Sequence, residues 1–443
     1  MKRHTLKAMG VAAVAAMTLS ACGGGSTEEP DAEAPQATEG EEEAEAEPVT
    51  LNFTWWGNDD RASRYEEALA LFAEEYPHIT VSTAFVDFPS YWTQRSTEAA
   101  GRALPDVMQF DLSYLREYTE NGHLLDLAPH IGEQIDLAGF DEALVESGVL
   151  DGQQVGIPTS TNTLALFYNP GLLEQTGVEP PAEDYTYEEY NEFLAAVSDA
   201  GQTTPEGQAI FGGGDYTNTF WFFLQWLVQE GKTPFTEDGF GFEAQDMKEF
   251  LALTEDLREA KKVYPVDRGI QLLPLGGFTV NEAVAEFSWD NFLAGYTADS
   301  GTEDIAMLPM PTGSNGEKAM FFKPSMLLSV GANTEHPEEA ATLINFLLTN
   351  PEVGAIFGTS KGVPADQAQR DAMELEEGSV DARVVAYEEA VAEHVTEPVP
   401  VPVKGFGSIE AEYKRLSEEL AYGTVTIDQF VESWFAEAEL MTQ

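Results

Sequence analysis

Leu51-Asn52-Phe53-Thr54-Trp55-Trp56-Gly57-Asn58-Asp59-Asp60 is the stretch on which the reading of this chain turns. Leu51, Phe53 and Trp55 alternate with Asn52 and Thr54, the period of a strand with one buried face. Asp59 or Asp60 caps a helix in which Tyr65, Ala68, Leu69, Phe72 and Tyr76 recur at 3 and 4 spacing until Pro77 stops it. Ile79 to Phe85 alternates as a second strand. Pro89-Ser90 opens a second helix, which holds Tyr91 and Trp92 and runs toward Gly101. Val107-Met108-Gln109-Phe110 reads as a short buried strand, and Leu115, Tyr118 and Leu125 continue helically. Strand, helix, strand, helix, strand at these lengths predicts parallel βαβ units with helices on both faces of a sheet. Ligands of such sheets bind beyond the carboxyl ends of the strands. That rule selects Trp56, Asn58 and Asp59 after the first strand, and Asp111, Ser113 and Tyr114 after the third.

A second stretch begins near Gly156-Ile157-Pro158. Leu164 to Tyr168 is strand-like and Asn169-Pro170 is a turn or helix start. Thr186-Tyr187-Glu188-Glu189 resembles a capping box for a helix carrying Tyr190, Phe193 and Leu194. Phe220 to Val228 (FWFFLQWLV) is the most aromatic run in the chain. Further strands are expected at 283–287, 305–308 and 326–330. A helix is expected over 337–348, with Ala340, Ala341, Ile344, Phe346 and Leu347 on its apolar face. The last third reads as helical around Leu416, Leu420, Ile427, Phe430 and Trp434. No internal repeat is visible. The part after residue 48, roughly 395 residues, exceeds what one core supports, so two lobes are expected.

The 443 residues carry 78 acids against 22 bases, a formal charge of −56. Nucleic acid and anionic headgroups are poor partners for such a chain. Self-repulsion of that size costs stability at low salt, which makes a saline habitat a hypothesis. Lys2, Arg3 and Lys7 precede an apolar segment at 8–19, a secretory-signal pattern too short to span a bilayer. Leu19-Ser20-Ala21-Cys22 comes next, and Cys22 is the single cysteine. The tetrapeptide resembles a bacterial lipobox. Residues 1–21 are then a signal peptide, and Cys22 carries a lipid (palmitate among its acyl chains) that tethers the protein outside the cytoplasmic membrane. Gly23 to Pro48 holds ten acids and no basic or aromatic residue, the composition of an extended, disordered leash.

Chemistry-bearing patterns are few. Gly358-Thr359-Ser360-Lys361-Gly362 matches G-x-S-x-G, with Asp366 and His394 downstream. A nucleophile elbow needs a strand before the serine and a helix after it, whereas a helix-like stretch precedes this one, so it reads as a loop. His78, His123, His130, His336 and His394 lack ligand spacing, so no metal is expected. Gly212-Gly213-Gly214 fits neither nucleotide fingerprint and reads as a turn, and no cofactor is expected. Carboxylate pairs for glycoside hydrolysis are a spatial matter that abundant acids neither support nor exclude. The aromatics are more telling. Trp55 points with Leu51 and Phe53 into the core, so Trp56 faces the other way at the strand's mouth. Trp92, Tyr114, Trp221, Trp226, Trp289 and Phe406 also fall near strand ends or helix starts. A pyranose ring needs flat apolar faces flanked by short polar groups.

Residues 51–58 (LNFTWWGN), 101–109 (GRALPDVMQ), 111–118 (DLSYLREY), 122–127 (GHLLDL), 152–169 (GQQVGIPTSTNTLALFYN), the 337–348 helix and Gly362-Val363-Pro364 together resemble the carbohydrate-binding proteins of ABC importers (extracellular solute-binding family 1, maltose-binding-protein-like). The resemblance covers essentially residues 49–443. It implies an α/β, two-lobe periplasmic-binding-protein fold with three hinge crossings, near 159–162, 305–310 and 359–366. Lobe 1 would comprise 49–160 plus 309–360, and lobe 2 would comprise 161–308 plus 361–443. It implies sugar contacts at Trp56, Asn58, Asp59, Ser113, Tyr114 and Asn162, with Trp221 and Trp289 from the other lobe and with Trp92 and Asp111 nearby. The family often has a Gly-Gly pair where this chain has Lys323-Pro324-Ser325, so Lys323 either contacts a polar or acidic sugar or is solvated. Trp221 has a competing core reading, with Phe222 or Phe223 facing the cleft. The implied function is capture of a di- or oligosaccharide by a monomer that delivers it to ABC-transporter permease subunits. The alternatives are an exported carbohydrate-active enzyme and a surface adhesin.

Overall fold

A computed structural model describes residues 47–236, 239–396 and 399–442. The signal peptide, Cys22 and all but the end of the acidic leash lie outside the described residues. The chain begins with β1 (Val49–Trp56), α1 (Asp59–Glu75), β2 (Ile79–Val86), α2 (Phe88–Ala100), β3 (Val107–Phe110) and α3 (Leu112–Glu120). β1 lies between β2 and β3 and pairs parallel with both, as alternating strands and crossover helices require. Leu51, Phe53 and Trp55 are buried beneath α1 with Tyr65 and Phe72, while Trp56 points to the opposite face. Each of the three helices starts on a side-chain cap, from Asn58, Asp87 and Asp111 respectively.

β4 (Ile157–Asn162) leads directly into β5 (Leu164–Tyr168), with only Thr163 between them. α4 (Tyr187–Asp199) comes after and is opened by the expected capping box of Thr186 and Glu189. Next are β6 (Phe211–Gly213), α5 (Phe220–Gln229), β7 (Ala283–Trp289) and β8 (Ala306–Leu308). The chain then turns back through β9 (Lys323–Val330), α6 (Pro337–Thr349), α7 (Pro351–Phe357) and β10 (Val363–Pro364). It ends in α8 (Val380–Val391), α9 (Phe406–Ala421) and α10 (Ile427–Met441).

Ten strands form two main sheets. One has the order β10-β4-β9-β3-β1-β2 and the other β8-β5-β7-β6. Each is the floor of one lobe of a two-lobe periplasmic-binding-protein fold. Three passages connect them: at Thr163, between Leu308 and Lys323, and after Pro364. β4 thus runs to Asn162, two residues past the expected lobe boundary at 160 and within the crossing expected near 159–162. Val363 and Pro364 pair antiparallel with Thr161 and Ser160, which places them on the first sheet rather than in the second lobe where the boundary at 361 put them. β9 starts three residues earlier than its apolar run, because Lys323 and Pro324 pair with Asn162 and Thr161 before a register shift.

Two apolar clusters hold the lobes. The first joins α1 and α6 to one face of the larger sheet, with Ala340, Ala341, Ile344, Phe346 and Leu347 all buried. The second is continuous from Trp92, Phe110 and Tyr118 through the smaller sheet to Trp434. Phe430 and Trp434 lie in that core, and Leu420 and Ile427 are partly buried against it. Among the described residues no single helix is long and apolar enough to cross a membrane.

Candidate functional site

The carboxyl ends of β1 and β3 bring three expected residues together. Trp56 leaves β1 on the face opposite Trp55, and its ring centroid lies 6.0 Å from that of Trp92 on α2. Trp92 in turn stacks on Tyr114 of α3 at 3.7 Å and 14°. Phe110, Tyr91 and Tyr118 enclose the other sides of Trp92, all from the same lobe. Across from this wall, the second lobe supplies α9. A side chain at Gly407 would meet the Tyr114 ring at 2.5 Å, so only glycine lets the helix approach so closely.

A second group forms around Lys323. Its amine lies 3.7 Å from the Asp111 carboxylate. It also lies 5.3 Å from the centre of the Trp221 ring and 5.5 Å from that of Trp289. Lys323 and Asp111 belong to the first sheet's lobe, whereas Trp221 opens α5 and Trp289 ends β7 in the second. Lys323 is buried rather than solvated, and Trp221 is only 5% exposed. Phe222 packs on Phe287 and Phe223 on Phe250, so the faces available to the amine are those of the two tryptophans.

Asn162 is the cross-strand partner of Lys323, and its Oδ1 is buried without a hydrogen-bond partner among the described residues. Buried acceptors of this kind are rare and call for a donor. Ser113 is buried in the first turn of α3, where its amide donates to Asp111 Oδ1. Asn58 and Asp59 are exposed. The Asn58 side chain accepts from the Arg61 amide as the cap of α1, and no contact joins either residue to the ring clusters. Trp226 lies in the second-lobe core against Phe223 and Phe250, and Phe406 packs on Trp221 and Phe220.

Sequence patterns missed several groups. Glu410 on α9 faces Asp111 and Lys323. Burial and then the Asp111 charge push its carboxyl up to about 7, with Lys323 opposing. At the passage between sheets, Asp290 is fully buried, with Oδ2 accepting from the Thr163 amide at 3.2 Å. Burial pushes Asp290 up to about 7 and holds its neighbour Glu388 well above the carboxylate range. Glu388 Oε2 accepts from Thr161 Oγ1 at 2.7 Å, which ties α8 of the second lobe to β4 of the first. Gly407, one residue after Phe406 and three before Glu410, was the available signal on α9.

Ser360 sits between α7 and β10, a helix-to-strand order that reverses the elbow, and its Oγ has no hydrogen-bond partner among the described residues. No base reaches it. Among the described residues no group of three or more His, Cys, Asp or Glu is placed to hold a metal. Cavities of about 1400 and 130 Å³ open elsewhere, the first beside Phe235, Val401 and Phe435, the second beside Tyr216, Phe222 and Phe278. Neither is lined by the rings around Trp92 or Lys323, which pack on one another. A site of this build offers flat rings and buried polar atoms, the groups with which a pocket recognises a ring-shaped polar ligand.

Residues 56–353 match the family model of the bacterial extracellular solute-binding proteins. The chain is 22% identical over 303 residues to a maltodextrin-binding protein of Bacillus subtilis, covering 65% of this chain and 66% of that one. It is 23% identical over 216 residues to an arabinooligosaccharide-binding protein of Halalkalibacterium halodurans, covering 48% and 46%. The first curated relatives, putative binding proteins of Brucella, are matched over only 38% of their length. Among solved structures, an oligogalacturonide-binding protein of Yersinia enterocolitica superposes with a TM-score of 0.75 at 22% identity, over 89% of this chain and 98% of that one. With the family model spanning more than half the chain and the two-sheet fold agreeing, this is a bacterial extracellular solute-binding protein.

Proposed function

We propose that this protein captures a di- or oligosaccharide between its lobes and delivers it to the permease of an ABC importer, held at the outer face of the cytoplasmic membrane through a lipid on Cys22. The observation that carries the reading is the cross-lobe arrangement of Trp221 and Trp289 around Lys323, beside the unpaired Oδ1 of Asn162. Ring faces suit the apolar face of a pyranose, and a buried acceptor suits a hydroxyl donor. Relatives named for arabinooligosaccharides and maltodextrin support the ligand class. The lobes, 49–162 with 309–364 and 163–308 with 365–443, close by rotation about the three passages, and the permease reads the closed form. The contacts proposed are Trp56, Ser113, Tyr114 and Asn162 from one side and Trp221 and Trp289 from the other, with Trp92 backing Tyr114 from behind and Asn58 and Asp59 at the rim.

Calorimetric titration of the purified chain with a panel of di- and oligosaccharides, with chromatography of each mixture afterwards, tests this. One saccharide is expected to bind with unit stoichiometry and to be recovered unchanged. Release of cleaved sugar would make the protein a carbohydrate-active enzyme instead. The anchor is tested by fractionating cells that express Cys22→Ser, which should move the protein out of the membrane fraction.

A further inference from the structure

Two lysines stand at the same end of the first sheet, by the carboxyl end of β4, and their surroundings differ. Lys323 has Asp111 at 3.7 Å as a counter-charge. Lys361 has none. It is only 7% exposed, and its Nζ lies 3.6 Å above the Phe357 ring and 5.1 Å from that of Tyr65. That amine makes no hydrogen bond to a described residue. Arg61 stands one helical turn before Tyr65 on the same face of α1. Its Nη1 donates to the carbonyl of Trp56 at 2.9 Å, and it has no other side-chain partner. Among the described residues neither Arg61 nor Lys361 forms an ion pair, in a chain with 78 acids. The nearest acid in sequence, Asp60, is engaged by Arg64 at 2.9 Å.

Uncompensated cations are costly to bury, and acids are plentiful enough here to have supplied a partner. The pair also lies where a ligand of this sheet belongs. Trp56, whose carbonyl holds Arg61, is the last residue of β1, and the Gln109 amide from β3 reaches the same carbonyl. Gly362, next to Lys361, lies against Asn162, and a side chain there would meet Asn162 Oδ1 at 2.3 Å. The backbone of Lys361 is thus joined to the strand that carries the unpaired acceptor, its carbonyl accepting from Ser160 Oγ at 2.8 Å. Arg61 is partly exposed, so the group opens on its side and closes on the lysine's.

We propose that Arg61 and Lys361 form an anion subsite at the carboxyl end of β1, and that the captured saccharide is acidic, with a uronate carboxylate seated between the guanidinium and the amine. This rests on the carbohydrate-capture reading and narrows it. Burial, together with Arg61 and Arg64, pulls the Lys361 amine down to about 7, so an incoming carboxylate also restores its proton.

The test is calorimetry on the purified chain with matched pairs: galacturonobiose against galactobiose, and cellobiouronic acid against cellobiose, with sodium sulfate as the inorganic arm. The acidic member of at least one pair is expected to bind at least tenfold more tightly. That preference should vanish in Lys361→Met and return in Lys361→Arg. If Lys361→Met does not fold, Arg61→Gln is read the same way. Equal or tighter binding of the neutral member overturns the subsite while leaving carbohydrate capture intact. A preference that survives Lys361→Met and Arg61→Gln overturns the residue assignment. Sulfate binding as tightly as the uronate overturns the saccharide assignment. Heat from no sugar, acidic or neutral, removes the capture reading and the subsite with it.

Discussion

The two sides of the cleft are built on different principles. On the first lobe, Trp56, Trp92 and Tyr114 are held by one another and by Tyr91, Phe110 and Tyr118, all from their own lobe. Trp92 is enclosed by its own lobe, and of the three only Tyr114 is pressed by the second lobe, where α9 passes its ring at Gly407. Trp221 and Trp289 meet each other at 5.7 Å and meet the other lobe through the Lys323 amine. One side is a finished wall and the other is completed by contact across the gap. Equal burial therefore has unequal sources: Trp92, 6% exposed, is enclosed by rings of its own lobe, whereas Trp221, 5% exposed, meets Phe406 of its own lobe and the Lys323 amine of the other.

The largest expected effect breaks the wall. Trp92→Ala removes a ring packed on several sides, and such truncations cost about 3–5 kcal/mol of stability. Urea unfolding of the ligand-free protein measures it, and a loss under about 1 kcal/mol would make Trp92 a cleft residue rather than a core one. Trp221→Ala should act the other way round. Truncating a buried aromatic anchor commonly costs about 2 kcal/mol or more of binding, at least ~30-fold in affinity. Calorimetry with the best sugar reads it, and unchanged affinity in a destabilised protein would return Trp221 to the core reading.

The hinge gives a third contrast, because there the groups beside the crossing are buried carboxyls, Asp290 and Glu388. In the unfolded chain, Asp290 and Glu388 ionise near pH 4. In the fold, burial pushes Asp290 up to about 7 and holds Glu388 well above the carboxylate range. Between those values the unfolded state binds fewer protons, so stability contributed by the pair falls as pH rises. Asp290→Asn keeps an acceptor for the Thr163 amide and removes one titration, so its unfolding free energy should decline less from pH 5 to pH 8. The difference between the two slopes is expected on the order of 1 kcal/mol, and parallel slopes would mean that the carboxyl ionises in the fold as it does in water. The smallest effect is the coupling across the Lys323–Asp111 pair. At 3.7 Å it should be about 0.5–1 kcal/mol in a cycle of Lys323→Met and Asp111→Asn. A null coupling would leave Lys323 to its tryptophans alone.

Local period made part of the architecture legible in the sequence. The alternation of residues 51–56 placed Trp55 inside and Trp56 outside, and the spacing of helices after each strand announced parallel pairing, while the order β3-β1-β2 came only with the fold. The capping box at Thr186 and the apolar face of 337–348 are likewise local signals. The features that escaped are carried by long-range pairing. Nothing near Met326 shows that its strand inserts antiparallel between β3 and β4, or that Lys323 is thereby set opposite Asn162. Gly358-Thr359-Ser360-Lys361-Gly362 reads from sequence as a loop, and only the fold brings its lysine over Tyr65, nearly 300 positions earlier. Glu410 reaches Asp111 because Gly407 lets two helices close on Tyr114, a contact between faces rather than within a segment.

If one side is a finished wall and the other is completed by contact, binding must draw the lobes together. Small-angle scattering of the purified chain, with and without a saccharide shown by calorimetry to saturate it, measures that directly. A smaller radius of gyration is expected in the saturated sample, with the decrease abolished in Trp221→Ala at the same sugar concentration. An identical scattering profile at full saturation would contradict it, because the sugar would then be held without the second lobe closing.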